Sequence, residues 1–114
     1  MKKIDKQICH VVKLIPYGQV SSYGRIADLA GFPRRARQVS KSLQHANQNG
    51  LTDIPWHRVV NSQGKIAFPK QHPLYLKQIA LLKQEGISVN HGKVQLSQYL
   101  WQADIATLVL SLPY

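Results

Sequence analysis

Acidic residues are scarce in this chain of 114 residues: five stand against 15 lysines and arginines, a formal net charge of +10. The imbalance predicts attraction to a polyanion, and nucleic acid and acidic membrane are the nearest classes. Long apolar runs are missing as well. None approaches the roughly 18 residues that a bilayer-spanning helix needs, so membrane is the weaker of the two partners and none is expected. The opening MKKIDKQICH has charges between its apolar positions, unlike a secretory signal, and a cytoplasmic location is expected. A single cysteine, Cys9, excludes an internal disulfide framework and agrees with a reducing compartment. The histidines, at 10, 45, 57, 72 and 91, show no metal-ligand spacing, so no zinc is expected. Repeats, low-complexity stretches and linkers are absent. Residues 1–114 are therefore expected to form one domain, with 44% hydrophobic residues to build its core.

What is present reads mainly as helix. Ile4, Ile8, Val11 and Ile15 recur at helical spacing, which predicts a first helix over 3–14, with Cys9 beside the stripe as a small hydrophobe. Pro16, Tyr17 and Gly18 end it. Ser22 suits the cap of a short helix to about Ala30, and Gly31 suits the position after its end. Pro33 is placed for the first turn of a longer helix, about 33–48. Short helix, glycine turn and longer helix together outline a helix-turn-helix.

The longer helix carries the charge. Arg34, Arg37, Gln38, Lys41 and His45 fall on one face at about 100° per residue, with Ala36, Val39, Leu43 and Ala46 opposite. An ordinary amphipathic surface helix has a similar outline but mixes charge signs. Here no acidic residue occurs between Leu29 and Gly50, which favours a phosphate-lined partner. Further on, Val59, Val60 and Ile66 flank an Asn-Ser-Gln-Gly turn and predict a small hairpin or wing. Pro73 opens a helix to about Glu85, closed by Gly86. Ile87, Val89, Val94 and Leu96 alternate across Asn90-His91-Gly92 as a second hairpin. Ser97 is expected to cap a last short helix containing Leu100 and Trp101. The apolar tail (Ile105, Leu108, Val109, Leu112) is expected to pack back on the core.

Three segments, IPYGQVSSYGRIADLAG, PRRARQVSKSL and IPWHRVVNSQGKI, followed at a fitting distance by LLKQEG, resemble the C-terminal domain of the O6-alkylguanine-DNA alkyltransferases. The match runs in order from about Lys3 to Val94. In those enzymes the third segment reads Pro-Cys-His-Arg, and its cysteine accepts the alkyl group. Here Trp56 occupies that position, and an indole offers no thiolate. The chain is thereby identified as a member of the alkyltransferase-like proteins. The resemblance implies a mainly helical, winged helix-turn-helix domain with small β-hairpins, no enzymatic activity and no cofactor.

It also implies roles for particular residues. The basic helix, with Arg34, Arg35, Arg37, Gln38 and Lys41, is expected in the minor groove of duplex DNA. The tyrosine matching Tyr23 helps rotate a base out, and the arginine matching Arg37 fills the space it leaves. Extrusion costs a few kcal/mol, and a planar guanidinium can stack in the gap. Read without the family, Tyr23 serves equally as a core aromatic and Arg37 as a phosphate contact. The extruded O6-alkylguanine is expected against Trp56, with the carbonyls of Trp56 and Val59 accepting from its amino group. Tryptophan is ordinarily a core residue, but this position carries the enzymes' exposed nucleophile. His57 and Glu85 match the enzymes' catalytic histidine and glutamate and are expected to remain as a structural pair.

The segment AFPKQH at 67–72 departs from the enzymes, which close over the base with a tyrosine-serine pair and a glycine-rich stretch, and from alkyltransferase-like members that present an arginine there; Pro69 and Lys70 stand at those positions. Lys70 is the residue here that is placed to offer the base a cation. A monomer that marks alkylated guanine for nucleotide excision repair proteins is the reading the resemblance supports. Two others stay open: an alkyltransferase with an unconventional acceptor, and a transcription regulator that reads the major groove.

Overall fold

The computed structural model describes residues 1–104, 106, 108 and 110. Its elements are α1 (Lys3–Leu14), β1 (Ser21–Ser22), α2 (Tyr23–Leu29), α3 (Ala36–Gln48), a 3-10 turn (Trp56–Arg58), β2 (Val59–Val60), α4 (Pro73–Gln84), β3 (Val89–Asn90), β4 (Lys93–Val94) and α5 (Leu96–Tyr99). Among the described residues, no helix is long and apolar enough to cross a membrane.

Two apolar clusters form the core. The first joins α1, α2 and α3 through Ile8, Val11, Val12, Ile15, Ile26, Ala27, Val39 and Ala46. The second joins α4 to the C-terminal hairpin through Val20, Val60, Ile66, Leu82, Ile87 and Val94. Successive strand side chains point to opposite faces. Val59 accordingly enters the first cluster and Val60 the second. β2 pairs in parallel with β1, Ser21 opposite Val59 and Ser22 opposite Val60. This short pair is thus the wall between the two clusters, and the Trp56 turn leads directly into it.

That pairing corrects the first expected hairpin. Both valines of β2 are buried, so the strand finds its partner in the interior, at β1, rather than across the following turn. The turn itself does form. Asn61 Oδ1 accepts from the Gln63 and Lys65 N–H groups, and the Asn61 N–H donates to the Lys65 carbonyl. The chain then joins the other hairpin, because Lys65 bridges to Lys93 and the Ile66 N–H donates to the Gly92 carbonyl. Gly64 makes the close approach possible. It adopts φ +85°, and a Cβ there would run into the Val94 carbonyl oxygen. The hairpin β3–β4 forms as expected, antiparallel, with His91 and Gly92 at φ 53° and 73° as its two turn residues.

The end of α2 at Gly31 is as expected, whereas the start of α3 and both ends of α5 differ. α2 ends in a Schellman motif: the Phe32 N–H donates to the Ala27 carbonyl and the Gly31 N–H to that of Asp28. Arg34 then takes a left-handed conformation, φ 66°, so α3 starts at Ala36 and not at Pro33. At the C-terminal end, Gln95 and not Ser97 holds the N-cap position of α5, without a side-chain bond. Leu100 and Trp101 fall outside that helix because the chain leaves it to pair. Val20 donates to the Tyr99 carbonyl, and the Trp101 N–H donates to that of Val20. Of the apolar tail, Leu108 is buried in the first cluster, whereas Ile105, Val109 and Leu112 lie outside the described residues.

Candidate nucleic-acid interface

The helix-turn-helix is built from its caps inward. Ser22 Oγ accepts from the Arg25 N–H and starts α2 directly after β1. Tyr23, the first residue of α2, is half-buried against the first cluster, and burial pushes its phenol above the usual range. α3 buries Val39, Ser42 and Ala46. Its other side exposes Arg37 and Lys41, and the turn before it exposes Arg34 and Arg35. Among the described residues none of these four cations pairs with a carboxylate. They form an unneutralised basic surface suited to phosphates.

Gln38 and His45 are placed differently from those cations. Both turn toward Asp5 of α1, whose side chain is 1% exposed. Ser42 Oγ donates to Asp5 Oδ1 at 2.7 Å, His45 Nδ1 lies 3.1 Å from Oδ2, and the Gln38 amide spans Asp5 and Ser42. The buried carboxylate therefore fixes the attitude of the basic helix against α1. Sequence reasoning missed Asp5. The available signal was its helical spacing to Ile8 and Val12, which sets a charge on the buried stripe.

The Trp56 turn is held from three directions. Pro55 leads into it, and the Arg58 N–H donates to the Pro55 carbonyl. His57 Nε2 bonds Glu85 Oε2, and Arg58 Nε lies 3.0 Å from both Glu85 oxygens. The Gly18 N–H adds a bond of 2.8 Å to the same carboxylate. Arg58 also donates to the Ile15 carbonyl at the end of α1 and lies over the Tyr17 ring. Burial alone would raise the Glu85 carboxyl. The hydrogen bonds from Arg58, Gly18 and His57 outweigh it and hold the group below its usual range. The structure thus brings His57 and Glu85 together, with Arg58 and the Gly18 N–H as further partners of the carboxylate.

Trp56 itself is half-buried, with His57 and Phe68 edge-on to its ring at centroid distances of 6.2 and 6.1 Å. Phe68 in turn packs on His72 at 4.8 Å. Phe68 was missed from the sequence although the segment holding it was singled out. It gives Trp56 a second aromatic wall, and Lys70 stands exposed two residues further on. The carbonyl of Trp56 accepts from the Val59 N–H, and that of Val59 from the Gln78 amide. Each carbonyl oxygen has a second lone pair with which to accept again. Cys9 is far from this chemistry by role: it is buried in the first cluster, its thiol pushed up to about 11, chiefly by burial. Among the described residues no cluster of His, Cys, Asp and Glu is grouped to hold a metal ion.

The basic helix after its glycine turn and the proline-led turn locked by His57, Arg58 and Glu85 both fall within a match to a known DNA-binding domain. The family model for the DNA-binding domain of 6-O-methylguanine DNA methyltransferase matches residues 3–87. A DNA base-flipping protein of Vibrio parahaemolyticus is 44% identical over 97 residues, which are 84% of this chain and 93% of that protein. Alkyltransferase-like protein 1 of Schizosaccharomyces pombe is 39% identical over 105 residues, 88% of this chain and 92% of its own. The crystal structure of S. pombe Atl1 with damaged DNA containing O6-carboxymethylguanine superposes with a TM-score of 0.81 at 34% identity, covering 90% of this chain and 98% of that one. The O6-methylguanine methyltransferase of Mycobacterium tuberculosis superposes less well, with a TM-score of 0.59 at 30% identity over 75% of this chain and 49% of the enzyme. The chain belongs to the alkyltransferase-like proteins.

Proposed function

We propose that this protein senses O6-alkylguanine in duplex DNA without reacting with it. Arg34, Arg35, Arg37 and Lys41 dock α3 in the minor groove, with Gln38 at the boundary between groove and core. Tyr23 presses the backbone beside the target nucleotide, Arg37 fills the gap, and the extruded guanine enters against Trp56. The carbonyls of Trp56 and Val59 accept from its amino group, and Lys70 closes over it. The resulting kinked complex marks the lesion for nucleotide excision repair proteins. The relatives named above for base flipping and bound to damaged DNA support this reading.

Trp56 is the observation that carries it. The ring stands on a turn whose neighbours are locked inward by Glu85, with aromatic walls at His57 and Phe68. Stacking of a base on an aromatic side chain contributes about 1–3 kcal/mol, comparable with the few kcal/mol that extrusion costs. An indole in place of a thiol makes this a surface that retains an alkylated base and has no group to accept the alkyl. The test is a titration at fixed salt with matched duplexes carrying guanine or O6-methylguanine at one position. Tighter binding to the alkylated duplex is expected. Equal binding to both would leave only a basic DNA-binding domain.

A further inference from the structure

We propose that Gln78 of α4 is a positioning residue for lesion recognition: its amide grips the carbonyls of His57 and Val59 and so fixes the turn on which Trp56 stands. The inference deepens the reading of Trp56 as the lesion surface and rests on it.

Gln78 is fully buried. Its Nε2 donates to the His57 carbonyl at 3.0 Å and to the Val59 carbonyl at 2.9 Å, so both amide hydrogens are spent on one turn. Its Oε1 is buried among the described residues without a donor. Turning the amide over would press that oxygen against two carbonyl oxygens, so the orphaned acceptor fixes which way the group faces. A side chain that only filled the space between α4 and the turn has apolar alternatives that strand no acceptor of their own.

Gln78 and Glu85 are seven residues apart, two helical turns, and so lie on one side of the α4 axis. Glu85 takes the side chains of His57 and Arg58. Gln78 takes the backbone on either side of Arg58. The turn is thereby held at both levels from a single helix. A ring carried on a backbone so fixed is in place before the base arrives, and its ordering is not charged against binding. Undamaged DNA, held through the cations of α3, does not use this preorganisation.

Gln78→Met, similar in size and without donors, tests the proposal. The expected result is a preference for the O6-methylguanine duplex reduced by about fivefold or more, with affinity for the guanine duplex changed by less than about twofold. Gln78→Glu is expected to fall between, because a buried carboxyl stays protonated and keeps one donor. It carries the measurement if the Met variant does not fold. An unchanged preference, or equal losses on both duplexes, would overturn the role. If the wild type itself shows no preference, the lesion reading fails instead. Acrylamide quenching of Trp56 fluorescence in a Trp101→Phe background then decides for Gln78. Faster quenching in the variant upholds the positioning of the ring, and unchanged quenching refutes it.

Discussion

Asp5 and His45 stand 40 residues apart in the chain and 3.1 Å apart in space, one on α1 and the other on the basic helix α3. Ser42 completes the contact from the next turn of α3. A buried carboxylate with three side-chain partners and a backbone N–H from Lys2 is the principal polar tie between α1 and α3. Replacing Asp5 by Ala leaves the buried Ser42 hydroxyl without its acceptor. We expect a loss of about 2–4 kcal/mol in unfolding free energy, read from the shift of the urea midpoint at constant slope. A midpoint within experimental error of the wild type would show that the tie contributes nothing net.

The same carboxylate makes stability depend on pH in a stated direction. Burial raises the Asp5 carboxyl, but the bonds from Ser42, His45 and the Lys2 N–H outweigh it, and the folded value falls below the ordinary 3.8. A group lowered on folding contributes stability that is fully present above its unfolded value and lost as pH falls through its folded one. The stability difference between wild type and Asp5→Asn is therefore expected to be constant near neutrality and to shrink on acidification below the ordinary carboxylate value. A difference that grew on acidification would reverse the assignment.

Arg37 is exposed on α3 with no carboxylate partner among the described residues, so its removal perturbs no internal ion pair. Arg37→Ala is expected to leave the thermal midpoint unchanged and to weaken binding to lesion DNA by about 1–3 kcal/mol, as for loss of one well-placed contact. Unchanged affinity at matched salt would remove Arg37 from the flipping mechanism.

Much of this was legible because it is local. Helix periodicity located α1, Pro73 and Gly86 bounded α4, Ser22 and Gly31 set the ends of α2, and Asn90-His91-Gly92 marked the second hairpin, in which Asn90 proves to belong to the strand. What escaped depends on distant partners. Nothing near Val59 announces that its strand pairs with Ser21, because the partner arrives after a crossover through two helices. The left-handed Arg34 is likewise invisible to helical spacing, which is why the start of α3 shifts to Ala36. In the candidate site, Trp56, His57 and Glu85 were legible through their motif. Asp5, Phe68 and Gln78 were not, since each acts through a contact with a segment remote in sequence.

In the proposed mechanism Trp56 separates reading the lesion from holding the duplex. Trp56→Ala removes the ring but keeps its backbone carbonyl and the Glu85 anchor of its neighbours. The preference for O6-methylguanine over guanine is expected to fall toward unity, while affinity for undamaged DNA falls by less than about twofold. Equal losses on both duplexes would mean that the indole supports the fold and does not read the alkyl group.

Cys9 is the one thiol in the sequence and so the natural suspect for hidden alkyl transfer. The structure argues against it on two grounds. The side chain is 4% exposed inside the first cluster, and its thiol is pushed up to about 11, first by burial and then by the charge of Asp5. Such a thiol stays protonated at neutral pH, and only the thiolate attacks carbon. The native protein is expected to resist thiol-specific labelling that proceeds readily once it is unfolded. Cys9→Ala is expected to bind alkylated duplex as the wild type does, and prolonged incubation with O6-methylguanine DNA is expected to leave the protein mass unchanged. A gain of one methylene in the wild type, absent from Cys9→Ala, would turn the sensor into an enzyme and overturn the non-reacting mechanism.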